Sequence, residues 1–327
     1  MTFRDTPKVE LHLHLEGAAP PAFIRGLAAE KNINLSRIFN EDGGYIFQDF
    51  EQFLRAYEAA CEPLKGPDDF YRLTRAVLEE LASHKVVYAE TFISPDFCGG
   101  GDLSAWRDYL AAMKQAADEM DEVVTLRGIV TCIRHFGPEQ ARKTAHCAAE
   151  TMGDFVTGLG LAGAEMMGRP SDFAWSFDLG REAGLHLTAH AGEWGGPDMV
   201  EETLDALKVS RVGHGIKAHA DADLVKRLAD EGVTLEVCPG SNVVLGAVKN
   251  WSSHPIAKLR DAGVPVTVST DDPPFFHTTM TAEYDALHRQ FGWADDDFRA
   301  LNEIALDAAF CDGATRTRMR ERLEAAR

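Results

Sequence analysis

Paired cysteines are the first thing this chain lacks. Its six cysteines, Cys61, Cys98, Cys132, Cys147, Cys238 and Cys311, are scattered with no C-x-x-C among them, which fits neither a disulfide scaffold nor a thiolate zinc site. They read as reduced and mostly structural. Positive charge is also scarce: 33 Lys and Arg stand against 52 Asp and Glu, for a formal net charge of −19. A nucleic-acid surface or an anionic membrane needs clustered basic residues, so neither is an expected partner, and small or neutral molecules are. No run is long and apolar enough to span a bilayer, and Met1 to Lys8 is short and polar, without a signal-peptide core. A soluble cytoplasmic protein is the expectation. Low-complexity linkers and repeats are missing too. A length of 327 residues suits two ordinary domains or one large α/β barrel, and the unbroken chain favours a single domain over 1–327.

What is present begins at Glu10-Leu11-His12-Leu13-His14-Leu15-Glu16-Gly17. Apolar and ionisable residues alternate with the period of a strand, so Glu10, His12 and His14 should share one face. Two imidazoles one pleat apart suggest half of a metal site. Further strand candidates follow at 86–94, 125–133, 155–161, 185–190, 211–213, 233–237 and 264–269, which with 8–13 makes eight. Helical periodicity separates most of them, at 102–120, 138–151, 171–183, 197–207, 220–230, 254–262 and 278–290. Repeated β-then-α units imply a parallel sheet, and a count of eight points to a (β/α)8 TIM barrel. Extra helices are expected after strand one (22–30, 47–60 and 67–84) and at the C-terminus (295–310 and 315–326). The aromatic-rich insertion reads as core rather than lid.

A barrel places reactive residues at the C-terminal ends of its strands. Strand one ends in His12, His14 and Gly17, strand five in His190-Ala191-Gly192-Glu193, strand six in Gly213-His214-Gly215, and strand eight in Asp271-Asp272. Small residues beside each let a ligand come close to the backbone. His12, His14, His190 and Asp271 form a nitrogen- and oxygen-rich set suited to zinc with a position left open for water. Zinc lowers the pKa of a bound water from about 15.7 to roughly 7 and so supplies a nucleophile. His214 could orient it. Glu193, desolvated in a barrel mouth, is suited to donate a proton at neutral pH. Asp272, pointing differently from Asp271, could reach the substrate.

The motifs Lys8 to Gly17, Val87-Tyr88-Ala89-Glu90, Leu161-Ala162-Gly163, His190 to Glu193, Gly213 to Gly215, Glu236 to Pro239 with Ser241-Asn242, His254-Pro255 and Ser269 to Pro273 occur in one order from about Pro7 to Tyr284. In this the chain resembles the adenosine and adenine deaminase family of zinc-dependent barrel hydrolases. The resemblance implies one zinc ion held by His12, His14, His190 and Asp271, with Glu193 protonating the purine ring nitrogen beside the amino carbon. It implies that His214 and Asp271 position the attacking hydroxide, that Gly163 N–H bonds the far ring nitrogen, and that Asp272 bonds the imidazole-side nitrogen. His14 and Glu16 complete the expected substrate-binding set. The implied reaction replaces a six-amino group by oxygen and releases ammonia.

Two positions depart from the family pattern. Nucleoside deaminases resembling this chain carry Asp where Glu16 stands, and that Asp holds the ribose hydroxyl; the adenine enzymes carry Glu. Ile93-Ser94-Pro95, Gly246-Ala247-Val248 and Thr281 to Tyr284 look closer to the nucleoside enzymes, so adenosine is the expected substrate, with adenine or a modified adenine nucleoside as alternatives. Ala164 stands where the family commonly has Asp. Gly158-Leu159-Gly160-Leu161-Ala162-Gly163 matches G-x-G-x-x-G but opens no helix, so it is set aside as a dinucleotide site and its glycines are expected to make room near the purine. Strand four ends without the lysine of two-metal barrel hydrolases, and the complete ligand set argues against a non-catalytic purine or metal binder. His186 is expected in the core, and the tail from Arg316 to Arg327 as a solvated face.

Overall fold

The computed structural model describes residues 2–325. The alternating first stretch forms β1 (Lys8–His14), and seven strands follow: β2 (Val86–Ile93), β3 (Thr125–Ile133), β4 (Val156–Ala162), β5 (His186–Ala191), β6 (Arg211–His214), β7 (Thr234–Val237) and β8 (Val266–Val268). Each pairs in parallel with the next, so spatial order equals chain order. A bridge between Leu13 and Asp271 closes the ring: His14 N–H donates to Asp271 O and Asp271 N–H to His12 O, both at 3.0 Å. The eight-stranded barrel is the fold expected. Its closure joins the backbones of three prospective ligands.

The helices before β2 are α1 (Pro21–Glu30), α2 (Phe50–Cys61) and α3 (Pro67–Ser83). Between strands lie α4 (Leu103–Asp118), α5 (Pro138–Thr151), α6 (Ala174–Glu182), α7 (Pro197–Leu207), α8 (Ala222–Glu231), α9 (Pro239–Val244) and α10 (Ile256–Asp261). After β8 come α11 (Met280–Phe291), α12 (Asp295–Ala308) and α13 (Gly313–Ala325). The expected helix at 171–183 is divided, with a 3-10 turn at Pro170–Phe173 preceding α6. β8 is shorter than expected, and just past it Thr270 N–H donates to the Glu10 carboxylate, 2.8 Å away. The same bond draws Glu10 away from the two histidines that share its parity, and β1 carries a register irregularity between Glu10 and Leu13. Among the described residues no helix is long and apolar enough to cross a membrane.

Two expectations are corrected at the other end of the barrel. His186 is exposed, not core, because it begins β5 at the open bottom rim, where it stacks on Phe310 at 4.9 Å. The C-terminal tail is docked rather than solvated. Met319 is fully buried with Val9, Leu11 and Tyr88, and the Arg316 guanidinium donates to the carbonyls of Leu306 and Ala309 at 2.8 and 2.9 Å. Ala326 and Arg327, the end of the expected last helix and tail, lie outside the described residues.

Candidate active site

At the C-terminal rim, ligand atoms of His12, His190, His214 and Asp271 all lie within 4.8 Å of one another, and those of His14, Asp271 and Asp272 form a second such group. Asp271 belongs to both. Its Oδ1 is 3.3 Å from His12 Nε2 and 3.2 Å from His14 Nε2, while Ser241 Oγ donates to Oδ2 at 2.7 Å. His214 and Asp271 both adopt left-handed backbone angles, φ 60° and 67°, which residues other than glycine rarely accept. Three of the four expected ligands, His12, His190 and Asp271, thus gather with His214, and His14 joins them only through Asp271.

The tautomer of His12 follows from what lies beneath it. Glu236 Oε2 is 2.8 Å from His12 Nδ1, and Glu236 Oε1 accepts from Thr188 Oγ1 at 2.8 Å and from Arg211 Nε at 2.6 Å. Burial opposes the Glu236 charge, but Arg211 and the bonds from His12 and Thr188 hold its pKa down at about 2. An ionised Glu236 can only accept, so His12 Nδ1 carries a proton and Nε2 is the atom turned toward Asp271. That Nε2 and His190 Nδ1 are buried without a hydrogen-bond partner. Burial opposes a charge on His12, but Asp271 and Glu236 raise its pKa to about 9, so a proton lies between Nε2 and the Asp271 carboxylate in the place a bound cation would take. The donor set of imidazoles and one carboxylate fits zinc.

A second chain of hydrogen bonds fixes His214. Ile256 N–H donates to His254 Nδ1 at 3.2 Å, which leaves the proton on His254 Nε2, 3.3 Å from Asn242 Oδ1. Asn242 Nδ2 then faces His214 Nδ1 at 3.2 Å and Glu193 Oε1 at 3.5 Å. Burial lowers the His214 pKa to about 3, so the ring is neutral, accepts at Nδ1 and bears its proton on Nε2. That N–H faces the cluster, with Glu193 Oε2 at 3.8 Å and Asp271 Oδ2 at 3.9 Å. Burial, then the charges of Asp271 and Glu165, push the Glu193 carboxyl well above its ordinary range. Its protonated form is thereby favoured.

These groups open onto a cavity of about 80 Å³. Gly163, with φ +93°, lines it. Gly158 and Gly160 do not, contrary to expectation. A Cβ on Gly158 would lie 2.9 Å from Phe310, and one on Gly160 3.2 Å from Phe92, so these two make room for rings filling the barrel. The opposite wall comes from α2, whose N-cap Asp49 accepts from Gln52 N–H at 2.8 Å. Its face of Phe50, Phe53 and Tyr57 meets Trp194, Phe276 and Phe275 with ring centroids 5.1, 5.1 and 6.0 Å apart. This aromatic helix is both core and cavity wall. Glu16 is 3 % exposed, and its Oε2 accepts from Tyr57 Oη at 3.2 Å. Glu16 Oε1 and Asp272 Oδ1 have no partner. Burial raises the Glu16 pKa to about 7. Burial, then Asp271, Glu193 and Glu16, raise Asp272 well above the carboxylate range.

The family model described as "Adenosine deaminase" matches residues 7–326. The chain belongs to this family. Among similar relatives, the adenine deaminase of Rhizobium rhizogenes is 46% identical over 318 residues, covering 97% of this chain and 98% of its own. The adenine deaminase of Agrobacterium fabrum is 44% identical over 320 residues, covering 97% of each. Among solved structures, adenine deaminase from Arthrobacter aurescens superposes with TM-score 0.89 at 30% identity, covering 98% of each chain. An amidohydrolase from Burkholderia ambifaria, with bound Zn, gives TM-score 0.87 at 26% identity, covering 99% of this chain and 91% of the other. In this family member, sequence reasoning names His14, Gly163, His190, Glu193, His214, Asp271 and Asp272, which line the cavity, and His12 and Glu16, which do not; it misses the residues that hold them, Glu236, Ser241, Asn242, His254 and Tyr57. Four of these five lie in motifs noted for the resemblance, and only the closed barrel gives them partners.

Proposed function

We propose that this deaminase hydrolyses the free base adenine to hypoxanthine and ammonia, using one zinc ion held by His12, His14, His190 and Asp271. The observation that carries the choice of substrate is the Glu16 carboxyl, buried and braced by Tyr57, with Oε1 left without a partner. Adenine bears an N–H on its five-membered ring where adenosine bears its sugar. An acceptor buried unsatisfied costs about 1–3 kcal/mol, and that ring N–H relieves it. The adenine deaminases among the relatives support the same reading. It departs from the adenosine expected from sequence.

When bound, the cation would supply the Lewis acidity that makes water a nucleophile near neutral pH. The side chains do the rest. Glu193, kept protonated by burial, donates to the ring nitrogen beside the amino carbon, so electron density from attack at that carbon has a place to go. His214, its proton fixed on Nε2 by Asn242, points that N–H at the attacking oxygen. Protonated Asp272 donates to the imidazole-side nitrogen, and the Gly163 backbone N–H to the ring nitrogen on the far side. The aromatic wall from α2 covers the base and keeps bulk water out.

Ammonia release measured on wild type and Glu16→Asp, with adenine and adenosine at equal concentration, tests this. Wild type should act on adenine, and Glu16→Asp should gain adenosine turnover by at least about tenfold, the scale of one methylene in a shaped pocket. Wild-type kcat/KM for adenosine equal to that for adenine would remove Glu16 from the account.

A further inference from the structure

Glu165 follows β4, is 2 % exposed, and belongs to no motif of the site. Its carboxylate accepts three successive backbone N–H groups: Gly192 to Oε1 at 2.5 Å, Glu193 to Oε2 at 3.1 Å and Trp194 to Oε2 at 2.7 Å. Consecutive N–H groups converging on one anion form a backbone nest, and bonds to an ionised acceptor are roughly twice as strong as neutral ones. The loop is shaped around the anion. Gly192 has φ +72°, and a Cβ there would fall 2.4 Å from Val200 Cγ2. A Cβ on Gly195 would fall 2.8 Å from Glu165 Oε1. From the end of β3, Arg134 Nη2 donates to the His190 carbonyl at 2.8 Å. A buried cation thus holds the carbonyl that enters the loop, and a buried anion holds the three N–H groups that follow.

The residue at the centre of this grip is Glu193. Its own side-chain contacts are long, 3.5 Å to Asn242 Nδ2 and 3.8 Å to His214 Nε2, so they cannot by themselves fix where the carboxyl points. Backbone orientation must do it. We infer that Glu165 is a positioning residue for the reaction: by gripping the backbone of 192–194 it aims the Glu193 carboxyl at the substrate. This rests on the reading of Glu193 as proton donor, and Glu165 itself touches no reacting atom.

The test is a double-variant cycle with adenine as substrate, run alongside backbone amide exchange and zinc content. Glu165→Gln keeps the shape but turns an NH2 toward the N–H groups. It should lower kcat by about 10²-fold, the scale of a 1 Å misplacement, with KM and zinc content little changed and faster exchange at 192–194. Glu165→Asp keeps the anion and should recover part of the loss; a mere space-filling role would make Gln the better substitute. Because Glu165 acts through Glu193, Glu165→Gln should cost almost nothing further in a Glu193→Gln background. Losses that multiply in full in the double variant, or unchanged kcat in Glu165→Gln, overturn the inference. Wild-type turnover in Glu193→Gln alone overturns instead the proton-donor reading, while the exchange rates still report whether the grip exists.

Discussion

The two rims of this barrel bury charge to the same degree and treat it in opposite ways. At the N-terminal rim Lys8 is fully buried, and its ammonium donates to the carbonyls of Thr6, Phe3 and His84 at 2.6, 2.7 and 2.8 Å. Nearby, Arg211 is 1 % exposed, and it meets Glu236 at 2.6 Å, Glu90 at 2.7 Å and the Ala308 carbonyl at 3.0 Å. At the C-terminal rim His12 Nε2, Glu16 Oε1, His190 Nδ1 and Asp272 Oδ1 are equally buried and lack partners. Buried polar groups left unpaired cost stability unless a ligand pairs them. Burial alone does not mark a site. Burial without satisfaction, gathered at one end of the strands, does.

The contrast is sharpest where the rims meet, because Glu236 belongs to the charge network below and holds His12 above. Glu236→Gln should weaken zinc binding by about 10- to 100-fold, as loss of a carboxylate behind a ligating histidine does, measured by competition with a chelator. Unchanged affinity would mean that the lower network does not reach the site. Lys8→Met probes the lower rim alone: it should cost about 1–3 kcal/mol in denaturant unfolding by stripping carbonyls of their donor, with kcat unchanged. A fall in kcat without loss of stability would erase the distinction between the rims.

An effect confined to acid pH is expected from His254. Burial lowers its pKa from 6.5 to about 3. Because the folded form resists protonation, its contribution to stability is present above pH 6.5 and is lost as pH falls toward about 3. His254→Asn should therefore show a shallower loss of stability on acidification across that window. An unchanged slope would mean that His254 is already protonated in the folded state.

The same contrast explains how much the sequence made legible. His12, His14, His190, His214, Glu193 and Asp271 stand out because a strand end is a local pattern, with ionisable residues flanked by glycine and alanine in a repeating β-then-α chain. Residues that act across the closed ring carry no such pattern. Glu236 finds His12 at a separation of 224 positions, and Tyr57 reaches Glu16 from the insertion across 41. α9, which presents Ser241 and Asn242, has six residues, too few for a helical period to emerge. Gly158 and Gly160 misled for a related reason: their string resembles a ligand loop, while their neighbours are rings brought in from β2 and from the bend after α12.

The most direct measurement is adenine turnover and zinc content in the same preparation of Glu193→Gln. The account predicts full zinc occupancy with turnover lower by about 10²- to 10⁴-fold, the range a positioned acid contributes. Wild-type turnover with zinc in place would contradict it.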